Sequence, residues 1–137
     1  MTRFVAVLGA IAVAAVAARF VPGASPVGPA TTTPRDTTAT LIALGESIYR
    51  GKAAGGLCYT CHQPNGKGMK GVAPDLTDGT WLYGDGSVAS IMATVEKGVA
   101  KPKESPVPMP PMGGSRLSAE QVRAVAMYVL SLGASGK

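Results

Sequence analysis

Both cysteines and the single histidine of this 137-residue chain fall in one pentapeptide, Cys58-Tyr59-Thr60-Cys61-His62. On a helical turn, residues three and four apart share a face. Two thiols and an imidazole then project together from one turn. This C-x-x-C-H spacing is the signature of c-type haem attachment. The thiols add to the two vinyl groups on one edge of the macrocycle, and His62 brings a ring nitrogen to the iron. Three bonds from one turn fix the position and tilt of the ring.

Two other chemistries use the same residue types. C-x-x-C alone also occurs as a thioredoxin-like redox pair. That fold alternates strands with helices, and no alternating strand pattern is found here. A closed structural zinc site takes four ligands, whereas the chain offers two Cys and one His.

Iron in a haem electron carrier takes a second axial ligand, and Met is the usual partner of His. The chain has six Met. Met1 starts a leader, Met127 belongs to a terminal helix, and Met92 reads as packing on the apolar side of another. Met69 follows His62 too closely to cross to the far face of a haem. Met109 and Met112 remain, in Pro106-Val107-Pro108-Met109-Pro110-Pro111-Met112-Gly113-Gly114. Prolines fix φ and stay out of ladders and helix interiors. A stiff, extended loop suits the holding of a weak thioether. Filling a gap in a core is the ordinary alternative for any Met.

Three amphipathic segments can position these groups. Leu41, Leu44, Gly45 and Ile48 share a face, with Ile42 and Tyr49 beside it, and predict a helix over residues 38–50. A Gly/Ala loop over 51–56 leads to the cysteines. Ser87 as N-cap, with Val88, Ile91, Met92 and Val95 inward and Gly98 as the stop, predicts a second helix over 87–97. Ser118 and Gln121 form a capping box, with Leu117 and Val122 able to staple across it. Val122, Val125, Ala126, Val129 and Leu132 continue that helix, and Gly133 is expected to end it. The fold class is therefore all-α with long loops.

The N-terminus is of another kind. A short positive start, Thr2-Arg3, precedes an apolar run from Phe4 to Ala18. Residues 1–20 read as a cleaved signal peptide or, extended across Arg19, as a short membrane anchor. Residues 21–40 are rich in Pro, Ala and Thr without apolar period, the composition of a linker. Either reading places the domain at 41–134 outside the cytoplasm, on the periplasmic side, free or tethered to the membrane. About 95 residues bury only a modest core, which a large apolar prosthetic group would complete. The net charge of +5 comes from scattered basic residues with no Arg-rich helix and no aromatic interleaving. It argues against nucleic acid and for a basic face toward an acidic protein partner.

With these motifs in view, residues 41–132 resemble the small monohaem class I-type cytochromes c. That resemblance implies a cytochrome c-like fold of three to five helices wrapped around one covalently bound haem. In that family the haem motif is followed by a Met-Pro-x-bulky-Gly loop and a final helix. Here this is Met109-Pro110-Pro111-Met112-Gly113, which puts Met109 on the iron and Met112 in the bulky slot. The resemblance also implies that the Pro74 carbonyl accepts a bond from the second ring nitrogen of His62, a contact that orients such a ligand. It places Gly45 and Tyr49 where the first helix crosses the last near Tyr128. It sets Trp81 beside the haem propionates.

The expected function is one-electron transfer by a single haem c with His62/Met109 ligation, free or as a subunit of a respiratory or photosynthetic complex. The chain itself is expected to be no enzyme. A haem enzyme or gas sensor with an open iron position is the rival reading, and it requires both Met109 and Met112 to miss the iron. Lys67, Lys70, Lys97, Lys101 and Lys103 flank the haem motif or lead into the Met loop. They are expected to steer an acidic redox partner.

Overall fold

A computed structural model describes residues 34–135 of the chain. Residues 1–20, read as leader or anchor, lie outside that range, as does most of the expected linker. The described residues form four α-helices and no strand: α1 (Pro34–Tyr49), α2 (Tyr59–His62), α3 (Val88–Lys97) and α4 (Ala119–Ser135). None is long and apolar enough to cross a membrane. Two isolated antiparallel pairs, Met69 with Ala73 and Val99 with Met109, tie the loops between them.

α1 starts at Pro34, earlier than the sequence predicts, and takes in the last residues of the segment expected as a linker. Pro is well tolerated in the first turn of a helix, where its missing N–H has no partner to lose. Residues 37–40 are exposed, so this first part of α1 shows no apolar period. From Ile42 onward the helix buries one face. Ile48 and Tyr49 are fully enclosed, and α1 packs along α4. At the crossing, Gly45 lies against the Ala124 carbonyl, with no room for a Cβ. The Tyr49 and Tyr128 rings meet edge-on there, their centroids 5.2 Å apart, an arrangement that adds about 1 kcal/mol beyond burial.

α3 begins as its sequence dictates. The Ser87 hydroxyl accepts from the Ser90 N–H at 3.2 Å, and Ile91 and Val95 turn inward. Gly98 ends it with φ 64° and ψ −170°, a region nearly closed to other residues. α4 opens with the expected capping box: the Ser118 N–H donates to Gln121 Oε1 at 2.8 Å, and the Gln121 N–H to Ser118 Oγ at 3.3 Å. Gly133 does not stop this helix, which runs on to Ser135. It is buried instead, 3.5 Å at its would-be Cβ from both the Leu76 carbonyl and the Trp81 ring. That is ordinary contact distance, so Gly133 is a buried interior residue of the helix rather than its cap.

Candidate haem site

The cysteines and histidine leave α1 by a tight route. Gly51 turns the chain at φ 75°, and Gly56 then sits against the Ile48 carbonyl, where a Cβ would collide. The attachment motif is one helical turn. The Cys58 carbonyl accepts from the N–H of Cys61 at 3.3 Å and of His62 at 3.0 Å. After His62 the backbone breaks sharply at Gln63, φ 62° and ψ 160°. The Tyr49 hydroxyl donates to the Gln63 carbonyl at 2.8 Å, which binds α1 directly to the end of the turn. Burial pushes the Tyr49 phenol far above its usual range, so it stays a donor. Burial likewise pushes up the Cys58 thiol.

His62 Nδ1 lies 3.2 Å from the Pro74 carbonyl. A carbonyl only accepts, so Nδ1 carries the proton and the other ring nitrogen keeps its lone pair for a metal. Burial lowers the affinity of the ring for a second proton, partly offset by the bond to Pro74. The neutral, ligating form is the one this environment favours.

The chain from His62 to Thr77 closes on itself. The Gly68 N–H donates to the His62 carbonyl at 2.9 Å, and the Leu76 N–H to the Gly66 carbonyl at 2.7 Å. Gly68 lies on the Pro74 carbonyl so closely that any Cβ would overlap it. Asp75 Oδ1 accepts from the Thr77 N–H and hydroxyl, each at 2.7 Å. Lys67 Nζ donates to the Thr77 hydroxyl at 2.6 Å and reaches Asp75 Oδ2 at 3.4 Å. These bonds, from Thr77 first and then Lys67, hold the Asp75 carboxyl below its ordinary range.

The proline-rich loop is anchored at Met109. Its N–H and carbonyl pair with those of Val99 at 3.0 and 2.8 Å, and Gly98 lets the two backbones close up, since a Cβ there would meet the Met109 carbonyl. Upstream, the Lys103 N–H donates to the Tyr83 hydroxyl and Lys103 Nζ to the Leu82 carbonyl, both at 2.7 Å. Ser105 Oγ donates to the Gly71 carbonyl at 3.1 Å. Downstream, Met112 and Gly113 take left-handed backbone, φ 53° and 64°. Gly113 thereby reaches Cys58, 3.4 Å from its would-be Cβ to the Cys58 sulfur.

These segments enclose a cavity of about 580 Å³. Close-packed interiors have few voids larger than a water molecule, and pockets for sizeable ligands run from roughly 300 to 1,000 Å³. Cys58, Cys61 and His62 line it, with Pro74, Trp81 and Met109. Tyr49, Ile91, Val95, Val125 and Val129 supply apolar wall from the helices. Donors, volume and apolar walls fit a haem. Met109 is the one methionine in this wall. Met112 turns away from it, packs on the core, and its sulfur accepts from the Leu117 N–H at 3.3 Å. Met69 is exposed, and Met92 packs against the core from α3. Trp81 stacks over Gly86, where a Cβ would overlap its indole nitrogen.

Sequence reasoning missed Thr77, Tyr83 and Val99. Thr77 carried a readable signal: an Asp two residues before a Thr commonly makes a side-chain turn. The pairings of Tyr83 with Lys103 and of Val99 with Met109 join loops that share no periodicity, so nothing local announces them.

The cytochrome c family model matches residues 42–133. Relatives of known kind include the cbb3-type cytochrome c oxidase subunit CcoP of Rhodobacter capsulatus, 44% identical over 77 residues, 56% of this chain and 26% of that protein. The corresponding subunit of Rubrivivax gelatinosus is 36% identical over 91 residues, 66% of this chain and 26% of its own. That of Cereibacter sphaeroides is 35% identical over 100 residues, 72% and 30%. The chain thus spans about a quarter of the length of the curated relatives it matches. No solved structure matches it significantly. A match over residues 42–133, on a helical fold whose cavity wall carries a C-x-x-C-H turn, makes this chain a member of the cytochrome c family.

Proposed function

We propose that this chain is a one-electron carrier holding a single haem c, attached through Cys58 and Cys61, with His62 and Met109 as axial ligands. The observation that carries it is the convergence of all four side chains on one apolar cavity. When bound, the haem supplies a reversible ferric–ferrous couple. The polypeptide does the rest. Nδ1–H of His62, bonded to Pro74, leaves the other ring nitrogen free as ligand. The Val99 pairing holds Met109 at the wall, and the apolar lining keeps water from the ring. Met ligation raises a haem potential, which suits delivery to a strong oxidant. Trp81 borders the propionates.

Likeness to CcoP subunits supports a place in, or next to, a terminal oxidase of the cbb3 kind. The leader at 1–20 supports export to the periplasmic side, with residues 21–33 as the tether or new N-terminus. An acidic redox partner would dock where the lysines flank the cavity. The test is acid–acetone extraction and an optical spectrum of protein exported with haem-attachment machinery. Colour should stay with the protein, and the oxidised form should show the weak sulfur-to-iron band near the red end. Pigment that partitions into solvent would rule out thioether bonds at Cys58 and Cys61.

A further inference from the structure

We infer that Lys67, Thr77 and Asp75 form a positioning network that aims the Pro74 carbonyl at His62 and so tunes the haem iron. The inference rests on the haem reading and goes beyond it to three residues outside the ligand set, of which Lys67 and Asp75 reach the cavity wall and Thr77 lies behind it. Pro74 is held from both sides. On its N-terminal side, Ala73 pairs with Met69 through two bonds of 2.9 Å. On its C-terminal side, the Asp75 carboxylate closes a turn onto the Thr77 N–H and hydroxyl. Lys67 then ties this turn to the strand of loop bearing Gly68, the residue on which the Pro74 carbonyl rests. Thr77 is the buried polar side chain of the described residues, 9% exposed. Its hydroxyl donates to Asp75 and accepts from Lys67, so both roles of the group are used. A buried hydroxyl with donor and acceptor roles filled is rigid, because losing either partner strands the other.

The consequence is electronic. A well-aimed carbonyl strengthens the Nδ1–H bond and makes the ligating nitrogen more basic. A more basic ligand favours the ferric ion and lowers the potential. Loosening the network should therefore raise it.

Charge alone makes a different forecast, which separates the two. Asp75→Asn removes a negative charge and would raise the potential by field effect. Lys67→Gln removes a positive charge and would lower it. Positioning predicts that both raise it. Thr77→Val changes no charge, so field effect predicts no shift and positioning predicts a rise.

The experiment is potentiometry of the three holoprotein variants, with proton NMR of the His62 ring N–H in the reduced state. Expected are upward shifts in all three and severalfold faster exchange of that proton with solvent. Opposite shifts for Asp75→Asn and Lys67→Gln, with an unmoved proton, would overturn the network. If Thr77→Val does not fold, the exposed Lys67→Gln variant decides by its sign. Failure of the haem reading would look different, since the unaltered protein would then lack covalent haem.

Discussion

Gly45 in α1 and Ala124 in α4 meet backbone to backbone: a Cβ on Gly45 would overlap the Ala124 carbonyl and lie 2.9 Å from the Tyr128 Cβ. The obstacle is main chain, which cannot swing aside as a side chain can. Gly45→Ala gains up to ~1 kcal/mol of helix propensity but overpacks the crossing, at a cost of ~1–3 kcal/mol. The clash should win. We expect the denaturation midpoint of the holoprotein to fall by the equivalent of about 1–2 kcal/mol, the upper part of that cost less the propensity gain. An unchanged midpoint would mean that the helices separate freely at this point.

Met109 and Met112 should answer to different assays. Met109→Ala should abolish the sulfur-to-iron band, lower the potential and turn the iron high-spin or admit another ligand. Met112→Ala should keep the band and cost about 2 kcal/mol of stability, the low end for a truncated core Met. The reverse pattern would place the axial thioether three residues further along the loop.

How much of this site was legible beforehand depended on the range of the interactions. Helix α3 and the start of α4 could be read because caps and apolar period are local: Ser87, Ser118 and Gln121 sit where their hydroxyls and amide are used. The C-x-x-C-H turn was legible for the same reason. The N-terminus of α1 was not, since Pro34 and the threonines after it carry linker composition, and residues 37–40 are exposed. Gly133 does not end α4, because a glycine near a helix end has the same local signature whether the helix stops there or, as here, runs on to Ser135. Pairing of the loops at Val99 and Tyr83 depends on a tertiary fold that no short window contains.

Asp85 gives an acid-sensitive helix start. Its carboxylate accepts from the Ser87 N–H at 2.9 Å, and bonds from the Ser87 hydroxyl and then its N–H lower the carboxyl from 3.8 to about 2. The unfolded chain binds this proton at higher pH than the folded one. The stabilisation is thus complete above the unfolded value and is lost as pH falls from 3.8 toward about 2. Asp75 acts in the same direction. Thermal melts of the holoprotein should drop across this window, and Asp85→Asn should flatten the fall without abolishing it. An identical acid limb in the variant would show that α3 does not depend on this carboxylate.

The lysines around the cavity do not form one class, and this sharpens the docking prediction. Lys67 is paired with Asp75. Lys103 is tied to the Leu82 carbonyl and lies 5.3 Å over the Tyr83 ring, so replacing it would loosen the approach to Met109 as well as remove a charge. Lys70, Lys97 and Lys101 are exposed, and Lys70 lines the cavity rim with Leu57 and Val107, themselves 45% and 40% exposed. A partner reaching this edge would meet an apolar contact flanked by positive charge. Steering by such charge raises association rates roughly 10- to 1,000-fold and fades with salt. Lys70→Glu with Lys101→Glu should lower the bimolecular electron-transfer rate to an acidic partner by about tenfold or more at low ionic strength, with the potential moving only downward, by the field of the positive charge lost at the cavity. At 1 M salt, where the Debye length is about 3 Å, variant and parent should converge. Lys103→Glu should differ by also weakening the sulfur-to-iron band. A rate indifferent to salt and to both charge reversals would leave Leu57 and Val107 as the docking contact, with the lysines serving only to solvate the surface.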